Sequence, residues 1–362
     1  MKSREKAVYL EILRILATLF VLLNHVPSNS VYQLHEGLVR YLLLSMILLS
    51  RASIPLFFMI SGALLLDRDE DLGVVLRKRA LRHVLVILLF ELGIFLANAA
   101  VSFLHKTEVE LSPFFFLRSV IAGTLPGAET YWYLYAYLSL LLLFPFIRPV
   151  RNMLGKKEYG FLLFFHVLIC GILPVYNRFA TMNHWPHLDI ANDFGLPLAI
   201  YRPVFFAFSG YFFAKKVDIR SFTAPRRLLL FAASVAGIIL SAYCNLSQAE
   251  STGTFTTDYY HCFDYVTAFW LFVSVRSLTE VRAAKFFEGR LASVLGFCGS
   301  LCFGVYLLDP YLKMACYPFF CRLAGDKAVT LLFSLFWVFF SFVVCSALTW
   351  LLKKIPFMRR LI

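Results

Sequence analysis

Residues 14–25 read RILATLFVLLNH: an arginine, ten residues that are almost all apolar, then a histidine. The run is apolar enough to lie in a membrane, yet it carries one ionisable side chain near each end. In a helix, at about 100° and about 1.5 Å per residue, eleven residues make three turns plus about 20°, so Arg14 and His25 share a face about 16 Å apart. One helix face then presents a fixed cation toward one side of the membrane and a titratable base toward the other. Glu11, three residues before Arg14, is placed to pair with it at the boundary. The plainer reading is that Arg14 snorkels to the headgroups and His25 rests at the interface. From this stretch alone the two readings weigh equally.

The rest of the chain has the same character. Of its 362 residues 60% are hydrophobic and 16% charged, 39 are Phe, and the mean hydropathy is +0.73. A soluble domain carries nearer to about 25% charge, so the composition points to an all-α integral membrane protein, read as a single domain over 1–362. The first apolar run holds Arg14 and His25 and has no small-residue cleavage site, so it reads as a retained helix and not as a signal peptide. Ten spans are expected, near 8–27, 46–66, 82–103, 130–147, 159–176, 197–214, 228–246, 260–275, 293–312 and 329–352.

The basic residues set the orientation. They crowd into alternate connections, at 2–6, 68–82, 148–157, 215–227, 276–290 and 353–360, while the other side holds the sparser Arg40, Arg51, Lys106, Arg118, Arg178, Arg202, Lys313, Arg322 and Lys327. By the positive-inside rule both termini are cytoplasmic. The net charge of +13 is thus a topological signal, reinforced by anionic inner-leaflet lipids, and calls for no nucleic acid. No repeat of fixed period stands out. The 8 cysteines lie mostly in apolar runs without zinc-site spacing, and the outer segment His184-Trp-Pro-His187-Leu-Asp189 reads as a solvated or acceptor-facing loop before it reads as a metal site. No metal is expected. Glu91 lies deep in an apolar run and has to be protonated or paired.

Several motifs act together. Glu11-Ile-Leu-Arg14 with Asn24-His25, the segment Pro55-Leu-Phe-Phe-Met-Ile-Ser61-Gly62, the cluster Arg77-Lys-Arg79-Ala-Leu-Arg82, Tyr131-Trp132-Tyr133-Leu-Tyr135 and Gly304-Val-Tyr306-Leu-Leu-Asp309-Pro310 occur in that order. Their sequence resembles the signature of the membrane acyltransferase 3 family, with one departure: where that family carries a late histidine this chain has Asp309.

The resemblance implies an enzyme that moves an acyl group, usually acetyl, from a cytoplasmic acyl-CoA to a hydroxyl of a cell-envelope glycan or lipid-linked sugar. It looks most similar to the bacterial surface-polysaccharide O-acetyltransferases, and it implies a bacterial inner membrane location. Acetyl-CoA would be a co-substrate, with no permanently bound cofactor. Acyl transfer needs a base for the hydroxyl proton, and histidine suits that role near neutral pH; His25 is the candidate, as direct base or as acyl carrier. Arg14, three turns deeper on the same face, is the second catalytic candidate, holding the pantetheine region of the donor or keeping the helix of His25 in register. Arg77, Arg79 and Arg82 offer cationic forks suited to the phosphates of the donor, though simple cytoplasmic retention also explains them. A tunnel between helices, phosphates at its inner mouth and His25 at its outer end, is the expected form. Arg51 is a candidate for orienting the acceptor or stabilising an oxyanion, Trp132 and Tyr133 for stacking on a sugar, and Asp309 for acceptor contact. Ser61 reads as a helix-packing residue. The rival reading is a multi-pass transporter of an envelope precursor or small metabolite.

Overall fold

The computed structural model describes residues 7–26, 36–105, 112–191, 202–252, 263–325 and 331–362. Every regular element among them is helical. Eight helices are long and apolar enough to cross a membrane: Val8–His25, Gly37–Leu65, Leu72–Phe103, Glu129–Ile147, Lys156–Asn183, Ala224–Ser251, Gly289–Ala324 and Leu331–Leu352. The chain is therefore a multi-pass helical membrane protein. The two remaining expected spans, 197–214 and 260–275, each begin outside the described residues; what is described of them are the shorter helices Arg202–Tyr211 and Asp264–Ser277.

In chain order the principal helices are α1 (Val8–His25), α2 (Gly37–Ser50), α3 (Ser53–Leu65), α4 (Leu81–His105), α5 (Pro113–Ala122), α6 (Trp132–Ile147), α7 (Lys156–Val167), α8 (Leu173–Asn183), α9 (Arg202–Tyr211), α10 (Ala224–Thr252), α11 (Asp264–Ser277), α12 (Gly289–Ala324), α13 (Leu331–Leu352) and α14 (Pro356–Leu361). They fall into two compact units. The first comprises Met1–Arg68, Arg148–Ser300 and Val329–Val338; the second comprises Asp69–Ile147, Leu301–Ala328 and Phe339–Ile362.

In the first unit α1 buries Leu10, Leu13, Ala17 and Val21, a stripe at helical spacing. It ends at Val26, whose extended backbone suits a residue before proline. The α2–α3 span is longer than expected because its helix begins at Gly37, and it is broken where Pro55 offers no N–H to the Arg51 carbonyl. The backbone amides of Arg51 and Ala52 there bond three residues back, to the carbonyls of Leu48 and Leu49, both at 3.2 Å.

The centre of this unit is the crossing of α3 and α9, and it rests on a repeated sequence. Pro55-x-Phe57-Phe58-x-x-Ser61-Gly62 recurs as Pro203-x-Phe205-Phe206-x-x-Ser209-Gly210. A Cβ on Gly62 would collide with the carbonyl of Ala207, and a Cβ on Gly210 would collide with the carbonyl of Met59, so each copy's glycine lies on the other copy's backbone. Ser61 and Ser209 each donate to their own helix, to the carbonyls of Phe57 and Phe205, both at 2.8 Å. Five residues past each glycine, Asp67 and Lys215 form an ion pair at 2.9 Å. Matched positions thus meet at matched heights. The two helices run parallel about a local pseudo-two-fold axis.

Polar side chains close the ends of these helices. The Arg276 guanidinium donates to the Phe213 carbonyl at 2.5 Å and to the Val217 carbonyl at 3.2 Å, satisfying the last carbonyls after α9. Arg151 donates to the carbonyl of Leu66 at 2.5 Å, doing the same for α3. His166 is wholly buried and stacks on Phe205, with ring centroids 3.7 Å apart. The segment after α8 folds back onto it: Thr181 Oγ1 lies 3.1 Å from His187 Nε2, and the Asn177 side chain bonds both backbone groups of Leu188.

Near the start of the second unit a short α-helical turn, Leu72–Val74, runs into a π-helical turn, Val75–Ala80, that leads into α4. α5 has a legible start and stop: Ser112 Oγ accepts the Phe115 amide at 3.0 Å, Pro113 opens the helix, and Gly123 closes it with φ 65°. The 3-10 turn Glu129–Tyr131 that leads into α6 is joined to α12 by a reciprocal pair of bonds. Tyr131 donates to the Leu307 carbonyl at 2.6 Å and Tyr306 donates to the Thr130 carbonyl at 2.5 Å.

Candidate functional site

The first-unit candidates lie on or beside α1. Helix α1 is unbroken from Val8 to His25, so the spacing of Arg14 and His25 on one face holds. Arg14 Nη1 donates to Glu11 Oε2 at 2.5 Å, and Glu11 is buried where α12 passes it at Gly299, a position with no room for a Cβ. The sequence expectation of this pair is met. Thr18, one turn on, donates to the Arg14 carbonyl at 2.8 Å. At the other end Asn24 Nδ2 donates to the Phe20 carbonyl and to the Ser50 carbonyl, both at 3.0 Å. That second bond ties the residue before His25 to the residue before Arg51, so the turn that carries His25 and the α2–α3 junction that carries Arg51 are held together. His25 and Arg51 are both half-buried.

The second-unit candidates form two groups. In the basic group Arg79 is engaged as a fork: Nε donates to Glu70 Oε2 at 2.6 Å and Nη2 pairs with Glu70 Oε1. Arg82 places Nε at 3.1 Å and Nη2 at 3.0 Å from the Leu361 carbonyl. Arg77 and Lys78 are exposed. A phosphate that approached Arg79 would therefore compete with Glu70. The next residue but three, His83, is buried, with Nε2 3.0 Å from the Leu134 carbonyl, which fixes the ring with its proton on that nitrogen.

The aromatic group collects around the α6–α12 junction. Tyr133 meets Tyr306 edge-on at 6.0 Å, and one turn past Tyr306 lies Asp309, buried, accepting from Ser341 Oγ at 2.7 Å. Trp132 packs edge-on against Tyr133 but is 54% exposed. In this unit the structure brings Tyr133 and Asp309 to one junction, and Trp132 stands at its edge. Among the described residues no cluster of His, Cys, Asp or Glu has the form of a metal site.

Several participants escaped the sequence reading. Glu70 pairs with Arg79 across nine residues and a change of helix type, outside any i,i+4 pattern. Tyr135 reaches Glu91 across 44 residues. The Pro-x-Phe-Phe-x-x-Ser-Gly repeat escaped it as well, although the sequence carries the signal in full and the signal marks α9 as the partner of α3.

No curated protein and no solved structure matches the chain. A family described as an acyltransferase domain matches residues 7–351, nearly its whole length and every motif above. Eight apolar helices, the ordered motifs and that match give one conclusion: the chain belongs to the membrane acyltransferase 3 family.

Proposed function

We propose that this membrane acyltransferase moves an acetyl or similar acyl group from a cytoplasmic acyl-CoA to a hydroxyl of a cell-envelope glycan or lipid-linked sugar. The observation that carries the reading is α1, one unbroken helix with Arg14 anchored to a buried Glu11 near its start and His25 at its end, in a chain matched by an acyltransferase family. In direct transfer the acceptor hydroxyl attacks the thioester carbonyl, an O–C bond forms and the C–S bond breaks; His25 takes the hydroxyl proton and passes it to the departing thiolate. In the carrier route His25 first attacks the thioester, and the C–S bond breaks as the thiolate leaves with the imidazole proton. The acceptor hydroxyl then displaces the imidazole, breaking the acyl C–N bond and giving its proton to the freed ring. Arg14 is a positioning residue for the helix that carries His25.

Arg77, Arg79 and Arg82 are read as the binding groups for the donor phosphates, with Glu70 as a stand-in anion on Arg79 until the donor arrives. Arg51 is read as the group that orients the acceptor or stabilises the oxyanion. Tyr133, with Trp132 and Asp309, is read as an acceptor contact. Ten spans, both termini cytoplasmic and residence in a bacterial inner membrane complete the reading, supported by the alternation of basic connections.

The test supplies membranes containing the protein with acetyl-CoA labelled in its acetyl group and follows label into envelope saccharides, with mild alkali to release O-esters. Alkali-labile label that depends on the protein supports the reading and names the acceptor. Label that remains on coenzyme A under conditions where the protein is folded in the membrane overturns it.

A further inference from the structure

Glu91 sits in the middle of α4, in a chain segment apolar enough to cross the membrane, and it is 1% exposed. Neither the donor nor the acceptor reading uses it. Its carboxyl has one hydrogen-bond contact, from Oε1 to the Tyr135 hydroxyl at 2.7 Å, while Oε2 is buried without a hydrogen-bond partner. Among the described residues no Lys, Arg or His pairs with it. The groups that face it are neutral: Tyr135 from α6 and, from α12, Tyr311, whose hydroxyl donates to the carbonyl of Phe90 beside Glu91. Tyr131 and Tyr306 lie within electrostatic reach, whereas Lys313 acts on Asp309 and Glu129.

The proton count around Tyr135 decides the state of this carboxyl. The Tyr135 oxygen is 2.7 Å from Glu91 Oε1 and also 2.7 Å from the Val120 carbonyl. A phenol has a single proton, and a peptide carbonyl has none to offer. If Glu91 were ionised, two acceptors at full hydrogen-bond distance would share one proton, and a second carboxylate oxygen would stand bare in a low-dielectric interior. If Glu91 is a carboxylic acid, its Oε1–H donates to Tyr135, Tyr135 donates to Val120, and every short contact has its proton.

We propose that Glu91 is a proton-binding site inside the membrane: a carboxylic acid at neutral pH, donating through Oε1 to Tyr135 and keeping Oε2 as an uncharged carbonyl oxygen. The proposal is independent of which acyl group or acceptor the enzyme uses.

Infrared difference spectra of the full-length protein in bilayers at neutral pH, wild type minus Glu91→Gln, test it directly. The expected result is a positive carbonyl stretch of a protonated carboxyl, above the amide band, that moves when Tyr135→Phe removes its partner. The paired stretches of a carboxylate in that difference overturn the proposal. Should Glu91→Gln fail to accumulate in membranes, wild type minus Tyr135→Phe gives the same decision: a displaced acid carbonyl band supports it, and carboxylate bands with no acid band overturn it.

Discussion

At the scale of the residue, the informative contrast is between Arg14 and Arg79. Both are arginines held by a carboxylate, but Glu11 lies one helical turn from Arg14, so the pair is written in the local sequence, while Glu70 lies in the non-helical stretch before Leu72 and reaches Arg79 from outside the helix that carries it. The first contact was legible from spacing and the second was not. The same holds for Glu91: its need for a proton or partner follows from a carboxyl in an apolar run, but Tyr135 comes from another helix and no local period points to it. The Arg79–Glu70 fork also yields a prediction of definite sign. If Arg79 receives a donor phosphate, Glu70→Gln removes its competitor, and the KM for acetyl-CoA falls by about two- to tenfold, the scale of one released contact of about 0.5–1.5 kcal/mol. Steady-state transfer kinetics check this; an unchanged or raised KM takes Arg79 out of the donor site.

At the scale of the element, the parallel α3–α9 crossing sets how the first unit packs. Close approach of two backbones in a membrane is gained by small residues, and here each glycine faces a carbonyl of the partner helix. Replacing Gly62 or Gly210 by Leu forces the helices apart, at a cost of about 1–3 kcal/mol or more. The expected outcome is reduced accumulation and earlier thermal unfolding of both variants. Ser61→Ala, which removes only a hydroxyl bonded within its own helix, stays close to wild type. Thermal unfolding in detergent separates the two cases, and a Gly62→Leu protein as stable as Ser61→Ala would contradict the packing argument. Hydropathy located α3 because it lies within a long, mostly apolar stretch, but helix pairing comes from shape, and only the repeated eight-residue pattern carried a trace of it.

At the scale of the whole molecule, composition was enough for the class. A chain with 16% charged residues and mean hydropathy +0.73 forms membrane-crossing helices, and eight of them are seen among the described residues. Orientation is a separate matter, carried by lysine and arginine placement, and it makes its own prediction. Phosphatase reporters, active only outside the cytoplasm, are expected to be silent when inserted after Arg79 or at the C-terminus and active when inserted after Arg178. An active reporter after Arg79 would reverse the topology and put the basic group on the wrong side for a cytoplasmic donor.

The account turns on His25, placed at the end of an unbroken helix and tied through Asn24 to the Ser50–Arg51 junction. The most direct measurement compares transfer of labelled acetyl from acetyl-CoA to envelope saccharides by wild type and by His25→Ala at equal membrane levels. The account predicts a loss of at least about a hundredfold, the scale of a missing acid–base group. Equal labelling by the two proteins would show that His25 is not the base and would contradict the mechanism built on α1.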